Sequence, residues 1–298
     1  MNSSLQSAAA GDSSSAPDSR FLRRKAVNAA MTAFSLACVL LALVPLISIL
    51  AFIVSQGARA INLDFFIRLP KPVGEAGGGM ANAILGTLEL VGLACVLGLP
   101  VGILGGAFLS EYGNSPLAPA ARFTADVLSG VPSIVVGVFV FALVVRPMHG
   151  FSAFAGGVAL AILMVPTVMR TTEELMRLVP GSLREAALAL GVSHWRTVLL
   201  VVLQNARGGI VMGVMLAIAR IAGETAPLLF TALGNRFWSF ELNQPIAALP
   251  MQIFTYAISP FDDWHRQAWA GALVLVVLVL AVNLVARVAV RQRVGGTP

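Results

Sequence analysis

Long stretches of this chain alternate between unbroken apolar runs and short polar breaks. The first run, positions 26 to 58, carries no charge at all, which is far longer than the roughly 7 to 15 apolar residues of a signal-peptide core. Further runs long enough for a bilayer core of about 30 Å lie near 83 to 110, 125 to 145, 151 to 172, 204 to 224 and 268 to 288. The pattern predicts six transmembrane helices. Ahead of them, residues 1 to 24 are rich in Ser and Ala and lack an apolar period, so they read as a disordered tail. Residues 25–79 then hold the first helix and an external loop, 80–290 the main membrane domain and 291–298 a second tail.

Glycine and proline modify these runs. Gly98, Gly102 and Gly106 recur every four residues, as do Gly209 and Gly213, a spacing that opens a flat strip for close approach of another helix. Pro100, Pro132 and Pro166 each interrupt a span and free backbone groups that must find partners. The segment 173–203 is more polar and reads as a loop between the fourth and fifth spans.

Composition agrees with lipid as the main solvent. Of the 298 residues 57% are hydrophobic and 11% charged, with a mean hydropathy of +0.85, whereas a soluble domain carries roughly a quarter charged residues. The net charge of +6 contains no basic run beyond Arg23, Arg24 and Lys25, which argues against nucleic acid and for membrane topology. Sorted by alternate loops, Lys and Arg favour one side two to one, and the positive-inside rule places both termini and the 173–203 loop in the cytoplasm.

Several chemistries are missing from the sequence. Lys25 and Lys71, the only lysines, follow no phosphate-cradling glycine loop, so ATP hydrolysis of the P-loop type must come from another chain. His149, His194 and His265 are scattered, Cys38 and Cys95 sit within apolar runs, and no nucleophile turn has a histidine partner. The expectation is a non-enzyme without metal or cofactor.

Within the 173–203 loop, Glu185 to Leu190 forms a strong helix former stopped by Gly191, followed by a second short piece bearing Trp195. It reads as a docking knob with Glu185, Arg184 and Arg196 pointing outward. Inside the fifth span, Arg220 is costly to bury. It either guides an anion with its planar donor fork or pairs with Glu224, one helical turn on. Glu89, in the second span, is placed to pair with Arg220 or with a neighbouring helix at the rim. Arg170, near a span end, can reach the interface.

The residues Glu185, Ala186, Ala187 and Gly191 resemble the EAA motif of ABC importer permeases, although Gln204 stands where that family has proline. The run from Ala219 and Arg220 through Gly223, Glu224, Thr225, Ala226, Pro227 and Leu228 to Thr231 resembles the PstA family of phosphate importer permeases. So do Glu111 to Gly113, Gly130 to Gly137 and Leu249 to Ile253, in the right order. The resemblance covers roughly residues 80 to 290. It implies an all-α type I ABC importer permease (MetI-like) fold with a cytoplasmic coupling helix between helices 4 and 5. It further implies ATPase coupling through Glu185, Ala186, Ala187 and Gly191, and a translocation pathway through Arg220, Glu224 and Arg170. The implied partners are a PstC-like permease, two copies of a PstB-like ATPase, an external phosphate-binding protein and phosphate, all at a bacterial inner membrane. The rival readings are an ABC permease for another solute and a self-sufficient secondary transporter or channel, for which no convincing inverted repeat is seen.

Overall fold

Backbone that lies in lipid must satisfy its own hydrogen bonds, and the computed structural model, which describes residues 19–73, 75 and 77–294, is helical almost throughout. Among the described residues the β-pairing amounts to one isolated bridge, between Leu233 and Ile246. The chain divides into two units at Phe52 and Ile53. Of the first, the described part belongs to α1 (Ser19–Ala60), an apolar helix exposed from Arg20 to Phe52 with Pro45 inside it. Arg20, Arg23 and Arg24 are already helical there, so the helix begins ahead of the boundary expected at residue 25, and residues 1–18 lie outside the described residues.

The second unit continues with α2 (Leu63–Ile67), α3 (Ala81–Glu111), α4 (Leu117–Gly130) and α5 (Ser133–Val140), the last prolonged by a π-helical turn over Phe141–Val145. Then come α6 (Ala153–Arg177), α7 (Gly181–Ala189) and α8 (His194–Thr197). A second π turn, Val198–Val202, leads into α9 (Leu203–Ala222). The chain ends through α10 (Ala226–Leu229), α11 (Leu249–Ala257) and α12 (Asp262–Val294). Among the described residues, five helices are long and apolar enough to cross a membrane: α1, α3, α6, the continuous stretch His194–Ala222, and α12. The sixth expected span is a bent pair, Leu117–Gly130 and Ser133–Val145, with 105° between its arms.

That bend lies at Pro132, one of the three prolines expected to interrupt a span, and the span starts earlier than residue 125, at Leu117. Proline disfavours helical backbone in the residue before it, and Val131 is accordingly extended at ψ 130, so the chain leaves α4 and restarts after Pro132. Pro100 and Pro166, by contrast, lie inside unbroken helices. The expected loop 173–203 also shrinks, because α6 runs on to Arg177 and the fifth span already begins at His194. An apolar run ends where lipid ends, but a helix can continue into water on good helix formers such as Glu174, Leu175 and Met176.

α6 is the most enclosed helix, and the glycine strips face it. A Cβ added at Gly102 would stand 2.8 Å from Cβ of Val168, and one at Gly106 would stand 2.5 Å from the Met169 carbonyl oxygen. On the other side of α6, Gly209 abuts Leu175, and a Cβ at Gly213 would fall 2.2 Å from Cγ2 of Thr171. Close approach of this kind replaces the hydrophobic drive that lipid cannot supply between helices. Buried Leu160, Met164, Val168 and Met176 of α6 fill the centre with Leu90 of α3 and Ile221 of α9.

The unit therefore has two ends. At one, the C-terminal ends of α3 and α6 meet α7 and α8. At the other, the segment 231–248 is laced to the starts of α6 and α3. There Ser152 N–H donates to the Thr231 carbonyl (3.0 Å), Ala153 N–H to that of Gln244 (2.9 Å), and Leu249 N–H to Oγ1 of Thr87 (2.8 Å).

Candidate coupling and translocation site

α7 starts behind Pro180, whose extended backbone (ψ 136) turns the chain sharply out of α6. It ends in a left-handed glycine cap. Gly191 has φ +81, its N–H donates to the Leu188 carbonyl (2.9 Å) and the Val192 N–H to that of Ala187 (3.2 Å), the paired closure that only a residue tolerant of positive φ makes cheaply. Glu185 and Ala186 face outward, Ala187 faces in, and Leu183, Leu188, Leu190 and Trp195 form an exposed apolar rim around them.

One of the two arginines expected to point outward does the opposite. Arg184 Nη1 donates to the Val179 carbonyl (2.7 Å), while Nη2 donates to the Met176 carbonyl (2.8 Å) and to Oε1 of Glu111 (3.0 Å). The Glu111 carboxylate, nearly buried, also lies 3.9 Å from His194 Nε2, and the Tyr112 and His194 rings stand 5.8 Å apart. One guanidinium thus ties α7 to the ends of both α6 and α3. Arg196 does stay outside, over the ring of its neighbour Trp195 at 5.2 Å.

A second charge cluster lies just inside. Glu173 is 2% exposed and receives Arg122 (Nε to Oε1, 2.7 Å), Arg177 (2.8 Å) and Arg170 (3.6 Å), while Arg170 also clasps Asp126 with both its Nε and Nη2. Arg122 further donates to the carbonyls of Leu109 (3.1 Å) and Gly113 (3.4 Å). Three cations and two anions from α4 and α6 form one network. A carboxylate this enclosed is tolerable only with such partners. Sequence reasoning passed over Glu173. The available signal was an acid flanked by Arg170 and Arg177, three residues before it and four after, the spacing of one helix face.

Arg220 and Glu224 do not pair. α9 ends at Ala222 with Gly223 as its cap, so Glu224 is past the helix and off the face of Arg220, and among the described residues no ion pair joins them. Arg220 is exposed in the last turn of α9. The span it closes begins at His194 rather than near 204. Glu89 makes no ion pair with Arg220 either, and its Oε1 is buried without a hydrogen-bond partner among the described residues. Arg170 lies far along the chain from these groups in the network around Glu173.

Two further motif segments meet directly. A Cβ on Gly137, at the close of the Gly130 to Gly137 stretch, would stand 2.7 Å from Cα of Pro227, so α5 and α10 touch backbone to backbone.

A family model described as "Binding-protein-dependent transport system inner membrane component" matches residues 98–293. The phosphate transport system permease protein PstA of Yersinia pestis is 50% identical over 89% of this chain and 90% of its own length. The protein of the same name from Haemophilus influenzae is 45% identical over 90% of this chain and 95% of its own. Among solved structures, a chain of a bacterial alginate ABC transporter has a TM-score of 0.66 at 14% identity, over 93% of this chain and 99% of that one. A chain of the inward-facing MetNI methionine ABC transporter has a TM-score of 0.58 at 20% identity, over 72% of this chain and 96% of that one. These two likenesses concern the fold alone.

Proposed function

We propose, from the premise that this chain belongs to the binding-protein-dependent transport system inner membrane components and within them to the PstA phosphate permeases, that it is a permease subunit of an ATP-driven inorganic phosphate importer. It is a multi-pass inner-membrane transport subunit rather than an enzyme, and ATP hydrolysis belongs to a separate subunit. The observation that carries the coupling is α7: a short rigid helix, closed by Gly191 and clamped by Arg184 to Glu111, presenting Glu185 and Ala186 within an apolar rim at one end of the bundle.

In this reading two copies of a PstB-like ATPase engage α7 and its counterpart on a PstC-like permease, and an external binding protein delivers phosphate to the opposite end. Excess basic loops put the α7 end and both termini in the cytoplasm. Movement of the ATPases pulls α7, and the clamp on Glu111 and the carbonyls of Met176 and Val179 passes that pull to α3 and α6. Arg220, a fixed cation exposed on the last turn of α9, faces the pathway shared with the second permease, with Glu224 and Arg170 along the same route.

The test uses the assembled importer in proteoliposomes. Glu185→Lys is expected to leave the complex inserted but to abolish ATPase co-purification and uptake. Arg220→Gln is expected to abolish phosphate uptake while assembly and ATP hydrolysis persist. Wild-type uptake rates in both variants would sink the assignment.

A further inference from the structure

At the end of the bundle opposite α7, a cavity of about 210 Å³ opens between α11 and the segment 233–236. Its lining includes one charged side chain, Arg236, and no acid, together with Gln252, Thr255 and Tyr256. Arg236 is exposed and, among the described residues, makes no ion pair. Its guanidinium is held over the Trp264 ring at 5.8 Å from the centroid. A cation attracted by a ring face keeps the N–H donors at its edge unspent.

The partner of that cation is preorganised. Tyr256 is 4% exposed and stacks on the same Trp264 at 4.4 Å, so the ring that positions Arg236 also positions the phenol. Gln252 Nε2 donates to the Tyr256 hydroxyl oxygen at 3.3 Å, leaving the phenolic proton with no acceptor among the described residues. Burial raises the Tyr256 hydroxyl above its ordinary range, only partly offset by the Gln252 hydrogen bond and the Arg236 charge, and the group stays a donor at neutral pH. The walls are fixed as well. Asn235 spends its amide on the Pro245 carbonyl (3.1 Å), and Asn82 holds the Asn235 carbonyl (2.6 Å), which anchors the segment bearing Arg236 to the start of α3.

We propose that this cavity is a receiving site for a single tetrahedral oxyanion, inorganic phosphate, bound by Arg236 with Tyr256 and Gln252 as neutral donors before the anion enters the membrane. The inference rests on the phosphate-importer reading and adds a site separate from Arg220. A planar guanidinium fork suits two phosphate oxygens, and neutral hydroxyl and amide donors suit the others without holding the anion too tightly to leave. An acid in the lining would repel the ligand, and none is there.

The experiment is equilibrium binding of radiolabelled inorganic phosphate to the purified whole importer, without binding protein, in detergent and in phosphatidylglycerol nanodiscs. The expected result is saturable binding by the wild type in both. Arg236→Gln should weaken it at least tenfold and Tyr256→Phe severalfold, and Arg236→Lys should fall between wild type and Arg236→Gln. Equal isotherms for wild type and Arg236→Gln would overturn the proposal, as would binding in detergent that disappears in the nanodiscs, which would assign the cavity to a lipid headgroup. ATP-driven phosphate uptake by wild-type proteoliposomes is measured alongside. Its absence would sink the importer reading itself, while uptake with unaltered isotherms would sink only this site.

Discussion

Glu173 shows how unequal the members of one ion-pair cluster can be. Its side chain is 3% exposed and answers three arginines, whereas Arg177, one of the three, is 51% exposed. Removing the enclosed acid leaves three arginines facing one another without the carboxylate they share, a larger loss than that of a surface pair even though each cation is partly solvated. Removing the outer arginine breaks a mostly solvated pair worth about 0–1 kcal/mol. We therefore expect Glu173→Ala to lower the thermal midpoint of the detergent-purified complex severely and Arg177→Ala to shift it only slightly. Equal shifts would mean that the network does not centre on Glu173. Arg220 stands at the other extreme. With no ion pair among the described residues, its charge contributes little to the stability of the isolated chain.

At the scale of elements, the spans were readable because lipid imposes one rule on every residue of a run, and the helix ending at Gly191 was readable because positive φ has few tenants. What could not be read depended on neighbours. Pro132 looks like Pro100 and Pro166 in sequence, yet of the three it alone breaks its helix, while Pro100, which is exposed, and Pro166, which is buried, both lie within unbroken helices. The Glu173 cluster joins positions 51 residues apart, and the Arg184 clamp joins positions 73 apart, so neither forms a local pattern. The glycine strips announced close contact without naming the partner, which is α6 in both cases. That assignment can be tested. Gly213→Leu must force its side chain into Thr171 and is expected to cost about 1–3 kcal/mol of overpacking, whereas Gly92→Ala meets nothing within 4 Å and should be silent. Thermal unfolding of both variants decides, and a silent Gly213→Leu would contradict the packing of α9 on α6.

For the whole molecule, the two ends of the bundle must open to different compartments if it carries a solute. In a background of Cys38→Ala and Cys95→Ala, Ser182→Cys in the first turn of α7 should react with an impermeant maleimide only in inverted vesicles. Asn243→Cys, exposed at the other end, should react only in intact spheroplasts. Labelling of both from one side would refute the topology. Between those ends the fifth span is continuous, but its π turn, closed by Leu203 N–H on the Val198 carbonyl, holds one residue more than an α turn would. One residue is about 100° of helix rotation. The widened turn absorbs its surplus residue, so α8 and α9 keep the phase that an unbroken α-helix one residue shorter would give them. Deleting Val201 would remove the surplus, let the turn relax to α and leave α8 and α9 in nearly the same relative phase. Gly213 would stay on Thr171 and α8 beside Glu111, so the fifth span tolerates the loss of a residue here, whereas the same deletion in a regular stretch of α9 would turn one end against the other by about 100°.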